Sequence, residues 1–210
     1  MYLTGCAVGG RSIDYTYGED KMPVTYAAYE IGDTVTYKNM DFYVIKNSGT
    51  DESSVTLLKA EPLSYEEIEE YSAGTGASVS NRYGYGGMQY HSESNLYATS
   101  YVKTTVEAWA EDNVTSGLVE VRLISYDDLI DNLGYDPTIA SVGNPKRNEN
   151  VPSWVYSYGT IHGGYWTMSA KDGTPDAWNV NNDGNLVNRS VNDHYFGCIR
   201  PVITISKSAL

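Results

Sequence analysis

Apolar positions in this chain alternate with polar ones in short runs, and only a few stretches repeat them at helical spacing. Asp33–Tyr37 and Phe42–Lys46 predict two strands around the turn Lys38-Asn39, and Ser54–Leu58, with Val55, Leu57 and Leu58 apolar, predicts a third. Ser64-Tyr65-Glu66-Glu67 reads as a capping box, opening a short acidic helix to about Tyr71 that Gly74 stops. Gly74–Gly87 reads as loop, with Tyr83–Gly87 its most flexible part. A second helix is expected over Thr99–Glu111, because Val102, Val106, Trp109 and Ala110 form one stripe. Val119–Ile124 predicts a strand, and Ser125 then caps a third helix, Tyr126–Leu133, ended by Gly134. Asp136–Pro152 reads as loop.

The C-terminal third predicts short strands at Tyr165–Ser169, Ala177–Val180, Leu186–Asn188 and Ile199–Ser206. Asn182-Asp183-Gly184-Asn185 is a hairpin signal, since Asp-Gly suits the primed turns. In Ala177-Trp178-Asn179-Val180-Asn181 the alternation places Trp178 and Val180 inward and Asn179 and Asn181 outward. On that assignment Trp178→Ala costs roughly 3–5 kcal/mol, while the neighbouring asparagines are dispensable for folding. Met1–Glu30, rich in Gly, Tyr and Thr without a period, reads as a lead-in, and Ile31–Leu210 as the domain. The class is α+β: two to three helices against short antiparallel strands.

The 210 residues suffice for one real core, and 41% hydrophobic content marks a globular chain. No apolar run is long enough to span a bilayer, and no charged-then-apolar leader opens the sequence, so a leader or hydrophobic anchor is expected upstream. The net charge of −13 repels phosphate backbones, which argues against nucleic acid and favours a cationic or neutral polar partner. Aromatic usage is lopsided: 20 Tyr and 4 Trp against 2 Phe. A core has no need for that many hydroxyls, whereas binding surfaces favour tyrosine as a stiff, amphipathic contact. The competing account is a β-rich fold with many cross-strand tyrosines.

Candidate chemistry is sparse. The chain shows no phosphate-binding glycine loop, and its histidines, His91, His162 and His194, lack metal-ligand spacing. Cys198 lies in an apolar strand, where a thiol is inert, so pairing with His194 as a nucleophile is disfavoured. Glu66, Glu67, Glu69 and Glu70 read as a solvated helix face, and Asp127 and Asp128 as first-turn residues favourable to the helix dipole. Asp172, Asp176, Asp183 and Asp193 offer oxygen ligands for Ca²⁺, though without EF-hand spacing. Cys6 and Cys198 sit near opposite ends, and domain termini often lie close together, so a disulfide is the first reading. Two unrelated thiols is the second, and Leu3-Thr4-Gly5-Cys6 also resembles a lipobox whose cysteine carries lipid.

Several motifs, in order, carry a resemblance. Ile31-Gly32-Asp33, Phe42–Ile45, Val55–Leu58, Pro62–Ser64, Gly86-Gly87-Met88 and Val121–Ile124 precede Tyr165–Ser169, Ala177–Val180, Gly184 and Gly197–Val202. Together they resemble the C-type-lectin-like domains related to formylglycine-generating enzymes, and most of all a bacterial and phage group of surface proteins of the DUF6273 type. The resemblance implies a C-type-lectin-like domain displayed outside the cell. The catalytic branch uses a pair of active-site cysteines, which the matched region lacks, so what transfers is fold and binding, not catalysis. Some members of this wider fold are variable proteins of diversity-generating retroelements, whose mutagenesis scatters Asn codons into Asn, Asp, Ser, Tyr and His. The mixture at Asn179, Asn181, Asn182, Asn185, Asn188, Arg189, Ser190, Asn192, Asp193, His194 and Tyr195 fits that process. These residues are therefore the expected ligand-binding face, and Tyr165, Trp166, Trp178, Val180, Ile199 and Pro201 the expected scaffold. The expected function is non-enzymatic: a receptor or adhesin module at the cell surface, with a protein or glycan ligand and no cofactor beyond the Ca²⁺ question. The alternative is the extracellular domain of a type IV pilin-like filament subunit.

Overall fold

The structure is a computed structural model that describes residues 24–82, 85–136, 138, 150–156 and 164–210. In chain order its main elements are β1 (Thr34–Tyr37), β2 (Met40–Lys46), β3 (Ser54–Lys59), α1 (Tyr65–Tyr71), β4 (Val79–Arg82), β5 (Tyr85–Met88), α2 (Tyr101–Asn113), β6 (Leu118–Leu123), α3 (Ser153–Tyr156), β7 (Tyr165–Ala170), β8 (Asp176–Val180), β9 (Leu186–Ser190) and β10 (Pro201–Ser206). All strand pairing between them is antiparallel. The chain is thus α+β, with a five-stranded sheet ordered β1-β2-β3-β10-β6, the hairpin β4-β5, and a three-stranded sheet β7-β8-β9.

Local chemistry accounts for the boundaries. Lys38 and Asn39 both adopt positive φ, 48° and 63°, between Tyr37 and its partner Met40. That is a two-residue primed turn, whose twist matches the strands it joins. At α1 both capping-box bonds form: the Ser64 hydroxyl accepts from the Glu67 amide (3.1 Å), and the Glu67 carboxylate accepts from the Ser64 amide (2.7 Å). Such a cap stabilises a helix by about 1 kcal/mol. The expected stripe Val102, Val106, Trp109 and Ala110 is buried on α2. After Ser125, whose hydroxyl accepts from the Asp128 amide (2.9 Å), the helical stretch passes through a π-helical turn, Asp128–Asn132.

One expectation is overturned outright. The glycine-rich stretch read as loop forms the hairpin β4-β5, with Val79 opposite Met88 and Ser80 opposite Gly87. Glycine lowers strand propensity, but it also lets another backbone approach closely. Here a Cβ on Gly87 would lie 2.3 Å from the His194 carbonyl oxygen. Tyr83 and Gly84 lie outside the described residues.

The five-stranded sheet is covered on both sides. Phe42, Val44, Leu57, Ile203, Ile205 and Leu123 join Ile68, Val102, Val106 and Trp109 in one apolar cluster. Ile45, Leu58, Val202 and Ile124 join Leu129, Leu133, Val155 and Tyr156 in a second. Neighbours such as Leu57 and Leu58 fall on opposite sides because side chains alternate along a strand. The second cluster encloses a charge: Arg200 is fully buried and donates to the carbonyls of Lys59 (2.7 Å), Val155 (2.7 Å), Ala60 (2.9 Å) and Trp154 (3.0 Å). This guanidinium ties the end of β3 to α3. Lys207 similarly fastens the end of the lead-in, donating to the carbonyls of Ala27 (2.7 Å) and Gly49 (2.6 Å). No helix among the described residues is long and apolar enough to cross a membrane.

Candidate functional site

The three-stranded sheet carries most of the expected binding residues, and its register sorts them. Trp178 pairs with Asn188 and Asp176 with Ser190, while Asn179 pairs with Val187 and Trp166, and Ala177 with Arg189. Since side chains alternate, Asp176, Trp178, Asn188 and Ser190 share one face, and Ala177, Asn179, Arg189 and Trp166 share the other. The expected outward orientation of Asn179 is therefore corrected, while Trp178, on the same face as the fully buried Val180, packs against the second apolar cluster. Asn179 is fully buried, whereas Trp178 is only half-buried.

The inner face explains Asn179. Its amide nitrogen donates to the Phe196 carbonyl (3.2 Å), and its Oδ1 has no hydrogen-bond partner among the described residues. Beside it the Trp166 indole is buried and donates to the Met88 carbonyl (2.7 Å). The chain crosses that indole at Gly197, where a Cβ would sit 1.9 Å from the indole nitrogen, so only glycine fits. Arg189 also turns this way, its guanidinium 4.4 Å from the Phe196 ring centroid and its Nε buried without a hydrogen-bond partner among the described residues.

The β8-β9 connection uses its asparagines structurally. Asn181 Oδ1 accepts from the amides of Asp183 (3.0 Å) and Asn185 (2.8 Å), and the Gly184 amide donates to the Asn181 carbonyl (3.1 Å). Only Gly184 has positive φ here (78°), so this turn is not the two-residue primed kind expected. Asn182 is exposed and Asn185 half-buried.

The loop after β9 forms a separate group beside the β4-β5 hairpin. Asp193 Oδ1 accepts from the amides of Tyr195 (2.8 Å) and Phe196 (3.3 Å), and the Ser80 hydroxyl donates to the His194 carbonyl (2.6 Å). Gln89 donates to Asn192 Oδ1 (2.9 Å), and Tyr195 is 50% exposed, its ring centroid 4.0 Å from that of His194 with the planes tilted by 36°. Asn192, Asp193, His194 and Tyr195 therefore do not join Trp178 in one set of contacts.

The outer face meets a cleft of about 450 Å³ lined by Tyr126, Asp127, Ser169, Ala170, Lys171, Asp172 and Trp178. Tyr126 and Trp178 form its aromatic walls, centroids 5.5 Å apart and planes tilted by 37°. The Lys171 ammonium lies 5.4 Å from the Trp178 centroid and donates to Asn188 Oδ1 (3.2 Å), while Asn188 Nδ2 donates to the Asp176 carboxylate. Tyr126 is held by its own amide, which donates to the Ser169 hydroxyl (2.9 Å), and by the adjoining helical start. There Asp128 accepts from the Ser125 amide (2.8 Å) and from the Arg122 guanidinium. Burial opposes the Asp128 charge, but Arg122 and Ser125 outweigh it and hold the carboxyl below its ordinary range. Burial, then the nearby carboxylates of Asp127 and Asp136, raise the Tyr126 phenol, so it stays a protonated donor at neutral pH. Sequence reasoning found Asn188 and Ser190 but placed Trp178 in the scaffold, Asp127 on a helix dipole and Asp172 among calcium ligands, and passed over Tyr126 and Lys171. The one signal available was that Lys171 and Asp172 begin the turn leading into the Trp178 strand.

Catalytic chemistry finds little support in these groups. Cys198 is a buried thiol whose pKa burial pushes up to about 12, so it holds almost no thiolate at neutral pH. Its suggested partner Cys6 lies outside the described residues, as does His162. No three His, Cys, Asp or Glu side chains among the described residues are placed to hold a metal ion, so Asp172, Asp176, Asp183 and Asp193 do not converge there. Compared with protein-family models, curated proteins and solved structures, the chain has no significant match.

Proposed function

We propose that this chain is a non-enzymatic ligand-binding module, a receptor or adhesin domain displayed outside the cell on a C-type-lectin-like scaffold. Its binding face is the outer face of β7-β8-β9 with the cleft beside it. One observation carries this reading: Trp178 is only half-buried, and its open part lines a cleft with Tyr126, Lys171, Asp127 and Asp172 around it. Large, stiff aromatics with a few convergent polar groups are what ligand sites share. The tyrosine-rich, phenylalanine-poor composition agrees with it.

The reading divides the variable-looking residues. Asn182, Ser190, Asn192 and Tyr195 are exposed, whereas Asn179 is packed. If a retroelement diversifies this domain, sibling copies vary at the first group and keep Asn179. A near-copy of the coding region for residues 165–202 beside a reverse-transcriptase gene tests that directly.

The function itself is tested with labelled protein on bacterial and epithelial cell surfaces. The Lys171→Ala/Asn188→Ala variant is expected to bind at least about tenfold more weakly than wild type, the loss of one or two polar contacts. Its thermal unfolding should stay within a few degrees of wild type. Undiminished binding by this variant rules the face out.

A further inference from the structure

Resting on that reading of the cleft, we infer that His91 is a pH latch on it: the neutral imidazole shapes a loop that holds the Lys171–Asp176 wall in place, and protonation releases that loop. His91 Nδ1 accepts from the backbone amides of Glu93 (3.0 Å) and Ser94 (2.9 Å). A backbone N–H can only donate, so Nδ1 carries a lone pair and the ring is the neutral Nε2–H tautomer. Asp193 holds its own loop in the same way, its Oδ1 accepting from the amides of Tyr195 (2.8 Å) and Phe196 (3.3 Å), two and three residues on. The two differ in what a proton does to them. A carboxylate oxygen stays an acceptor across neutral pH, whereas an imidazolium carries N–H donors at both ring positions and accepts nothing. The ring is pinned from outside as well. It stacks on Tyr101 at the start of α2, centroids 5.1 Å apart, and the His91 amide donates to the Val191 carbonyl (3.2 Å). On protonation, therefore, the Glu93–Ser94 turn gives way and not the ring.

That turn is wired to the cleft. Ser94 Oγ accepts from the Leu96 amide (3.1 Å), and between these two residues Asn95 sends its side chain into the β7-β8 connection. There Asn95 Nδ2 donates to the carbonyls of Lys171 (3.3 Å), Thr174 (2.9 Å) and Asp176 (3.0 Å). One amide thus ties both ends and the middle of the connection. The same connection carries Lys171 and Asp172 of the cleft, and Lys171 reaches Asn188 from it. Opening the turn withdraws Asn95, and the wall loses the donor its carbonyls share. The coupling runs through contiguous hydrogen bonds to an element with two arrangements. The ionisable groups on the elements packed around His91 are Glu93 on its own loop, Tyr101 and Lys103 on α2, and Asp193 and His194 on the loop after β9. Carboxyl, phenol and ammonium groups ordinarily titrate outside roughly pH 5 to 7.5, so His194 is the neighbour that shares the window. The hold on the wall exists where the His91 ring is neutral and is lost as pH falls and the ring takes up its second proton.

The decisive experiment follows the amide and imidazole signals of ¹⁵N,¹³C-labelled protein from pH 7.5 to pH 5. The Glu93 and Ser94 amides, the Asn95 side-chain amide and the Lys171–Asp176 backbone are expected to move with one midpoint, that of the His91 ring. His91→Asn keeps an acceptor for the two amides but does not titrate, so it should abolish the shared transition; His91→Asp should move it into the carboxylate range. His194→Gln should leave it unchanged. Labelled wild type should bind cell surfaces at least about fivefold more weakly at pH 5.5 than at pH 7.5, and His91→Asn equally at both. If Asn95 and the β7-β8 connection stay still while His91 titrates, or follow His194 instead, the latch is overturned. It is overturned too if binding that depends on Lys171 and Asn188 falls equally on acidification in wild type and His91→Asn, or in neither. Should binding ignore the Lys171→Ala/Asn188→Ala variant while the shared transition remains, the functional reading fails and the link from His91 to the connection stands.

Discussion

The two faces of β8 differ in a way that hydrophobicity does not anticipate. On the inner face a polar side chain, Asn179, is fully buried beside Trp166; on the outer face a large apolar one, Trp178, is only half-buried beside Asn188. The inner asparagine replaces a backbone partner, donating to the Phe196 carbonyl where the following loop folds under the sheet. The outer tryptophan packs against the edge of the second apolar cluster and is flanked by Tyr126 and Lys171. A buried polar residue thus marks structure here, and an incompletely buried aromatic marks the surface where binding is proposed.

The largest way to break this contrast is at the inner indole. Trp166→Ala should cost roughly 3–5 kcal/mol, from lost burial and from the Met88 carbonyl left without its donor. That is a large share of a domain's stability, so the variant should unfold at far lower urea or not fold. Next comes Asn179→Ala, expected to cost about 1–3 kcal/mol because the Phe196 carbonyl loses its donor and a cavity opens. Asn179→Ala behaving like a surface change, within about 0.5 kcal/mol, would show that its burial is incidental.

Trp178→Ala ranks third, at about 1–2 kcal/mol, since only part of the side chain is removed from water. Its urea midpoint should fall clearly above that of Trp166→Ala, while it eliminates ligand binding. Equal destabilisation at the two tryptophans would restore Trp178 to the core and remove the main support for the binding face.

The five-stranded sheet was legible because its signals agree with one another. Lys38-Asn39, the alternation through Phe42 and Val44, and the Ser64–Glu67 box each favour the conformation found. The β4-β5 hairpin was not, since Gly87 serves close approach by the His194 backbone and Gly86 by the Ile68 side chain, and they leave no local strand pattern. Arg200 escaped notice because its four acceptors come from positions near 60 and 155, a contact invisible to local sequence. The cleft failed for the same reason: Tyr126 and Trp178 are far apart in the chain, and alternation separates the two sides of a strand without saying which side stays uncovered.

The smallest effect lies at the outer wall. The Asp128 carboxylate holds Tyr126's helical start through Ser125 and Arg122 and has a depressed pKa in the folded chain. A group whose folded pKa is depressed stabilises the fold above its unfolded value, near 4, and loses that contribution as pH falls further. The pair is mostly shielded from solvent, side chains 15% and 13% exposed, so about 1 kcal/mol is at stake. Other carboxylates titrate in the same range, so the clean measurement is a difference of differences: urea midpoints at pH 6 and pH 3 for wild type and for Asp128→Asn. Wild type should lose more on acidification than the variant, and the Tyr126 ring signals should shift before those of Trp166. Equal losses would mean that the Arg122–Asp128 pair does not hold the wall, and that Tyr126 stands in the cleft by packing against Trp178 and Ser169 alone.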